Sequence, residues 1–104
     1  MYTVVPGKVR AFLGLVENEW LGIQRPHLGA PLGYFTSESG VLNQVIHLWG
    51  FQDAGDRERR RTRLAADEHW IAFVPKVLPL LERMESRILV PTSFSPIGGA
   101  APPS

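Results

Sequence analysis

Apolar and polar positions follow two periods along the chain. Val9, Phe12, Leu13, Val16, Trp20 and Ile23 recur at three and four residues, the spacing of one buried helix face. Pro26 and Gly29 are expected to close that helix. Trp70, Phe73, Val74, Val77, Leu78 and Leu81 make a second stripe with Pro75 inside it. A mid-helix proline loses a hydrogen bond and clashes with the preceding turn, so a break near Val74 is expected. Between the stripes, Asp53 is a candidate N-cap for a helix over Ala54 to Ala66. Strand chemistry marks Tyr2 to Val5, Ala30 to Glu38, Leu42 to Asp53, and Arg87 to Val90, with Met84 as an alternative start of the last. Ser39-Gly40 supplies the turn of a hairpin between the second and third strands.

The stretch Leu42 to Asp53, LNQVIHLWGFQD, organises the rest. Period 2 divides it into a face carrying Val45, His47, Trp49 and Phe51 and a face carrying Gln44, Ile46, Leu48 and Gly50. Both faces hold apolar side chains and both need cover. The order β-α-β then β-α-α-β gives two right-handed βαβ halves, which puts the helices on one side of a four-stranded antiparallel sheet. The expected fold is therefore α+β and ferredoxin-like. The other side of the sheet is left bare. If it carries Val45, Trp49 and Phe51, those residues form a homodimer interface, because a second copy is the simplest cover. The alternative is a tail folded over the sheet through Phe94 and Ile97. With the pleat turned the other way, His47 and Trp49 face the helices and line a pocket inside each subunit.

Composition narrows the function classes. At 104 residues one domain is expected over 1–97, with residues 98–104 as a flexible tail of proline, glycine and alanine. A net charge of +1 gives no general attraction to nucleic acid. With no cysteine, disulfides, thiolate metal sites and a cysteine nucleophile are excluded. No apolar run approaches bilayer length and the N-terminus has no signal layout, so no membrane insertion and a cytoplasmic location are expected.

Several segments are similar to the NIPSNAP family: Pro6-Gly7-Lys8, Leu32-Gly33-Tyr34-Phe35-Thr36, Leu42 to Trp49, Arg57-Glu58-Arg59-Arg60, and Met84-Glu85-Ser86-Arg87 with Pro91 to Pro96. The resemblance implies a ferredoxin-like unit that pairs as a dimeric α+β barrel, and it implies no agreed catalytic mechanism. Pro75 departs from the family's pattern. The leading expectation is a small homodimeric binding or interaction module without a cofactor.

His47 is the candidate catalytic residue: a general base, a substrate anchor or an axial haem ligand. The competing reading is a histidine hydrogen-bonded inside an interface. Tyr34, His47 and Trp49 are candidate walls of a pocket for a small aromatic ligand. By analogy with other dimeric α+β barrels, a cofactor-independent monooxygenase or a haem protein is the enzyme alternative. His27 and His69 show no metal spacing with His47, so no metal site is expected. Arg57, Arg59, Arg60, Arg61 and Arg63 crowd one helix, which reads as solvated cover whose stems lie on apolar surface.

Overall fold

In the computed structural model, which describes residues 1–98, the elements run β1 (Tyr2–Val4), α1 (Val9–Leu15), a π-helical turn (Val16–Trp20), α2 (Leu21–Leu28), β2 (Gly33–Thr36), β3 (Gln44–Leu48), α3 (Ala54–Ala65), α4 (Glu68–Val77), a 3-10 turn (Leu78–Leu80) and β4 (Leu81–Met84). Beyond Gly98, the expected tail lies outside the described residues. The strands form one sheet in the order β2-β3-β1-β4 with every neighbour antiparallel. Each βαβ half thus encloses a strand of the other half, the ferredoxin-like arrangement.

Pairing fixes which way each strand faces. Tyr2 opposes Val45, Tyr34 opposes His47 and Val4 opposes Leu81. Directly opposed residues share a face. Val4, Val45, Phe12, Val16, Trp20, Phe73 and Val77 are the buried cluster, so this is the face the helices cover. Val45 is 0% exposed. The expected bare face of Val45, His47, Trp49 and Phe51 is corrected here: Val45 and His47 point into the helices. Trp49 and Phe51 lie past the end of β3, where strand alternation no longer applies. Val45 is therefore not available to a partner. The uncovered side carries Thr3, Phe35, Gln44, Ile46, Leu48 and Arg83, with Phe35 53% exposed.

Both helix-interior prolines are tolerated. Pro26 sits inside α2, which continues to Leu28 and stops at Gly29, whose φ of 81° suits a residue without a Cβ. Pro75 sits inside α4, which runs on to Val77. Pro75 is exposed, and so is Ile71, whose carbonyl loses its partner. Water can satisfy a carbonyl on the solvent side, which removes most of the reason to break there. Asp53 caps α3 as expected, its Oδ1 accepting from the Asp56 amide at 2.7 Å.

The last strand also differs from expectation. It is Leu81–Met84, with an irregularity between Thr3 and Val4, and not Arg87 to Val90. β1 has a free edge on that side, and pairing to it outweighs the weak strand propensity of Leu-Glu-Arg-Met. The more strand-like Ile88, Leu89 and Val90 are left 70–86% exposed. Phe94 at 85% and Ile97 at 57% do not roof the sheet.

Candidate functional site

His47 is held in a ring of aromatic side chains. Its ring centroid lies 4.1 Å from Tyr34, 4.8 Å from Tyr2, 5.6 Å from Trp20 and 6.5 Å from Phe12. β3 delivers it, β1 and β2 flank it, and the first helix closes over it. Neither ring nitrogen has a hydrogen-bond partner, and both are buried. Trp20 is 3% exposed and its Nε1 is likewise buried and unpartnered. Buried polar atoms normally find partners, and exceptions cluster where a ligand or water belongs. Burial first, and then the positive N-terminus, lowers the His47 pKa from 6.5 to about 4, so the imidazole is neutral at pH 7.

These groups border a cavity of about 650 Å³ between the sheet and α2, α3 and α4. That falls within the ~300–1,000 Å³ of small-molecule sites. Trp20, His47, Trp49, Phe51 and Trp70 give it aromatic walls, and Arg57 and Arg61 reach it from α3. The sequence-predicted trio is adjacent in space: Tyr34 meets His47 with the rings tilted by 59°, and Trp49 lies 6.0 Å from Tyr34 edge to face. His47 and Trp49 border the cavity, whereas Tyr34 backs His47 from behind. Tyr34 Oη donates to Gln24 Oε1 at 3.4 Å, and Gln24 is 3% exposed. Burial raises the Tyr34 and Tyr2 phenol pKa values, so both stay neutral hydroxyls. Tyr2, Gln24 and His47 thus give the cavity wall uncharged polar residues among its aromatic ones.

Three contributors escaped the sequence reading. Trp20 and Trp70 read only as core stripe residues, yet they wall the cavity. Gln24 fell outside the apolar stripe and gave no sign that it would be buried. His27 and His69 do meet a partner, but not His47: His27 Nε2 lies 2.7 Å from Asp67 Oδ2, and His69 Nδ1 lies 3.3 Å from Asp67 Oδ1. The His27 hydrogen bond, followed by the His69 amide, holds Asp67 down at about 2. This link ties the end of α2 to the start of α4. Among the described residues no group of three histidines or acids could hold a metal ion, and no helix is long and apolar enough to cross a membrane.

The NIPSNAP family model matches residues 1–96. The chain belongs to the NIPSNAP family. Relatives include NipSnap homolog 1 of Danio rerio, 38% identical over 92% of this chain and 34% of that protein. NipSnap homolog 2 of the same fish is 38% identical over 70% of this chain and 26% of that protein. This NIPSNAP chain therefore spans about a quarter to a third of those two relatives. A solved NIPSNAP family protein from Agrobacterium tumefaciens superposes with a TM-score of 0.89 at 47% identity, covering 92% of this chain and 91% of that one. An uncharacterized NIPSNAP domain protein from Burkholderia xenovorans gives 0.88 at 42% identity, covering 91% and 92%. The NIPSNAP fold expected from the quoted segments is thus the fold observed.

Proposed function

We propose that this NIPSNAP chain is a cytoplasmic, homodimeric small-molecule-binding module whose ligand occupies the cavity beside His47. The observation that carries the reading is a neutral imidazole with both nitrogens buried and unpartnered on the wall of a cavity of about 650 Å³. A structural histidine in an apolar core would be hydrogen-bonded. The surrounding rings close both nitrogens off from the cavity, so a ligand reaches one when a ring turns aside, and a hydrogen bond made there recovers the cost of that desolvation. Support for the dimer comes from exposed apolar surface, namely Phe35 on the uncovered sheet side and Ile88, Leu89 and Val90 in the segment after β4. Leu89, Ile46 and Leu48 border a hollow of about 210 Å³ on that side, a seat for a second copy. Trp49 and Phe51 border the cavity, so the interface test is Ile46→Asp, on the uncovered side of β3. Isothermal titration with 6-hydroxy-2-naphthamide, whose ring hydroxyl is the group offered to His47, tests the pocket. Saturable binding that His47→Leu weakens at least about tenfold, a loss of roughly 1.4 kcal/mol, supports it. Binding that His47→Leu leaves unchanged refutes it.

A second reading, that of an enzyme, rests on the same imidazole. A base with a pKa near 4 is half-protonated only far below neutral pH, which makes His47 a weak proton acceptor at pH 7. Neutrality instead suits a metal-bound imidazole, so haem is the form of this reading that the electrostatics favour. A Soret band in the purified protein that His47→Ala removes would support it. Colourless protein that takes up no haem on titration would end it.

A further inference from the structure

Arg57 and Arg61 stand four residues apart on α3, and Leu64 follows three residues later. Positions spaced by three and four share a helix face, and Leu64 is the buried residue of α3. Arg57 is half-buried and Arg61 exposed, so the pair sits at the edge of the helix face that meets the protein. All three border the cavity. Like charges at this spacing repel, and water is partly excluded around Arg57, which is only partly exposed. Elsewhere on α3 the problem is solved by pairing: Arg60 Nε donates to Asp56 Oδ1 at 2.8 Å. Arg57 and Arg61 have no acidic partner among the described residues. The carboxylate bordering the cavity is that of Glu85, and its Oε1 is already engaged by Arg83 at 2.6 Å. Arg87 adds a further positive charge to the rim.

We propose that Arg57 and Arg61 form an anion clamp at the cavity mouth, and that the ligand is a flat aromatic carboxylate. This rests on the pocket reading above and adds the charge and shape of its occupant. The two guanidinium groups are suited to take the carboxylate, since the fork of donors matches its geometry. The ring system lies among Trp20, Trp49 and Trp70. A polar substituent at the far end meets His47 and the Trp20 Nε1 donor. Nothing in that chemistry requires a base, so the clamp serves binding whether or not a reaction follows.

Equilibrium dialysis of the full chain against 6-hydroxy-2-naphthoate and the neutral isostere 6-hydroxy-2-naphthamide, whose ring hydroxyl is the far-end polar group, separates the two levels. Naphthoate is expected to bind about tenfold tighter than naphthamide at about 0.02 M salt, and the gap should shrink severalfold at about 0.5 M as screening sets in. The double variant Arg57→Gln, Arg61→Gln should cut naphthoate affinity about tenfold and naphthamide affinity far less, so that the two probes bind alike. Equal binding of both probes by the wild type overturns the clamp while the pocket stands. Retention of the naphthoate preference in the double variant overturns it as well. Failure of both probes to bind overturns the pocket and the clamp together.

Discussion

Replacing His47 by leucine should make the protein more stable. The imidazole buries two nitrogens that have no hydrogen-bond partner within the protein. Leaving a polar group buried and unpaired costs ~1–3 kcal/mol. Leucine is of similar volume and suits a wall made by Tyr2, Phe12, Trp20 and Tyr34. The variant is therefore expected to gain about 1–3 kcal/mol at pH 7, equivalent to a rise in Tm of roughly 5–15 °C for a domain of this size. A core histidine that stabilises the fold would give the opposite sign.

Acid dependence provides the second half of the test. In the folded protein His47 titrates at about 4, below its ordinary 6.5. Between those values the unfolded chain binds a proton that the folded chain refuses. Stability consequently falls as pH drops from about 6.5 to about 4 and is flat above that range, with a full span of at most about 3 kcal/mol. His47→Leu should remove this component. The assay is urea unfolding followed by tryptophan fluorescence at a series of pH values, with the slope m compared to confirm that the unfolded state is unchanged. A variant less stable than wild type at pH 7, or one that keeps the wild-type loss between pH 6.5 and 4, would show that the imidazole has a structural partner and would refute the reasoning.

Two neighbouring substitutions on β3 should diverge. Val45→Asp places a charge in the helix-covered core and should abolish folding by circular dichroism, whereas Ile46→Asp should leave a folded monomer by light scattering at micromolar concentration. A folded Val45→Asp protein would reverse the face assignment, and an intact Ile46→Asp dimer would remove the uncovered sheet as the interface. Asp67→Asn should lower Tm at neutral pH by loosening the link from α2 to α4. Because the carboxyl is held at about 2 against an ordinary 3.8, its contribution is present above about 3.8 and is lost as pH falls toward 2. An Asp67→Asn variant with wild-type acid sensitivity below pH 4 would contradict that pairing.

The helices and the strand order were legible because each rests on local chemistry. The stripe from Val9 to Ile23, the Asp53 cap and the hairpin turn all declare themselves within a few residues. What failed was decided at a distance. Period 2 divides Gln44 to Phe51 into two apolar faces, and nothing within the stretch says which one meets the helices; the pairing of Val45 with Tyr2 does. The strand also ends at Leu48, so Trp49 and Phe51 could not be extrapolated from Val45. β4 was misplaced because Ile88 to Val90 has the stronger propensity, while Leu81 to Met84 lies where β1 needs a neighbour. Prolines 26 and 75 were over-read, since their cost depends on whether the freed carbonyl meets water. At the site, His47 stood out as a lone polar residue in an apolar run. Its aromatic surroundings come from β1, β2 and the first helix, and no spacing within the chain encodes their convergence.

The chain's histidines provide internal controls for the pocket itself. His47 borders the cavity, whereas His27 and His69 gather at Asp67. Titration of 6-hydroxy-2-naphthamide into protein carrying carbon-13-labelled histidine, followed by the imidazole Hε1 resonances, should move His47 saturably and leave His27 and His69 in place. A His47 resonance that stays fixed through saturating probe, or all three signals moving together, would contradict a ligand site at that imidazole.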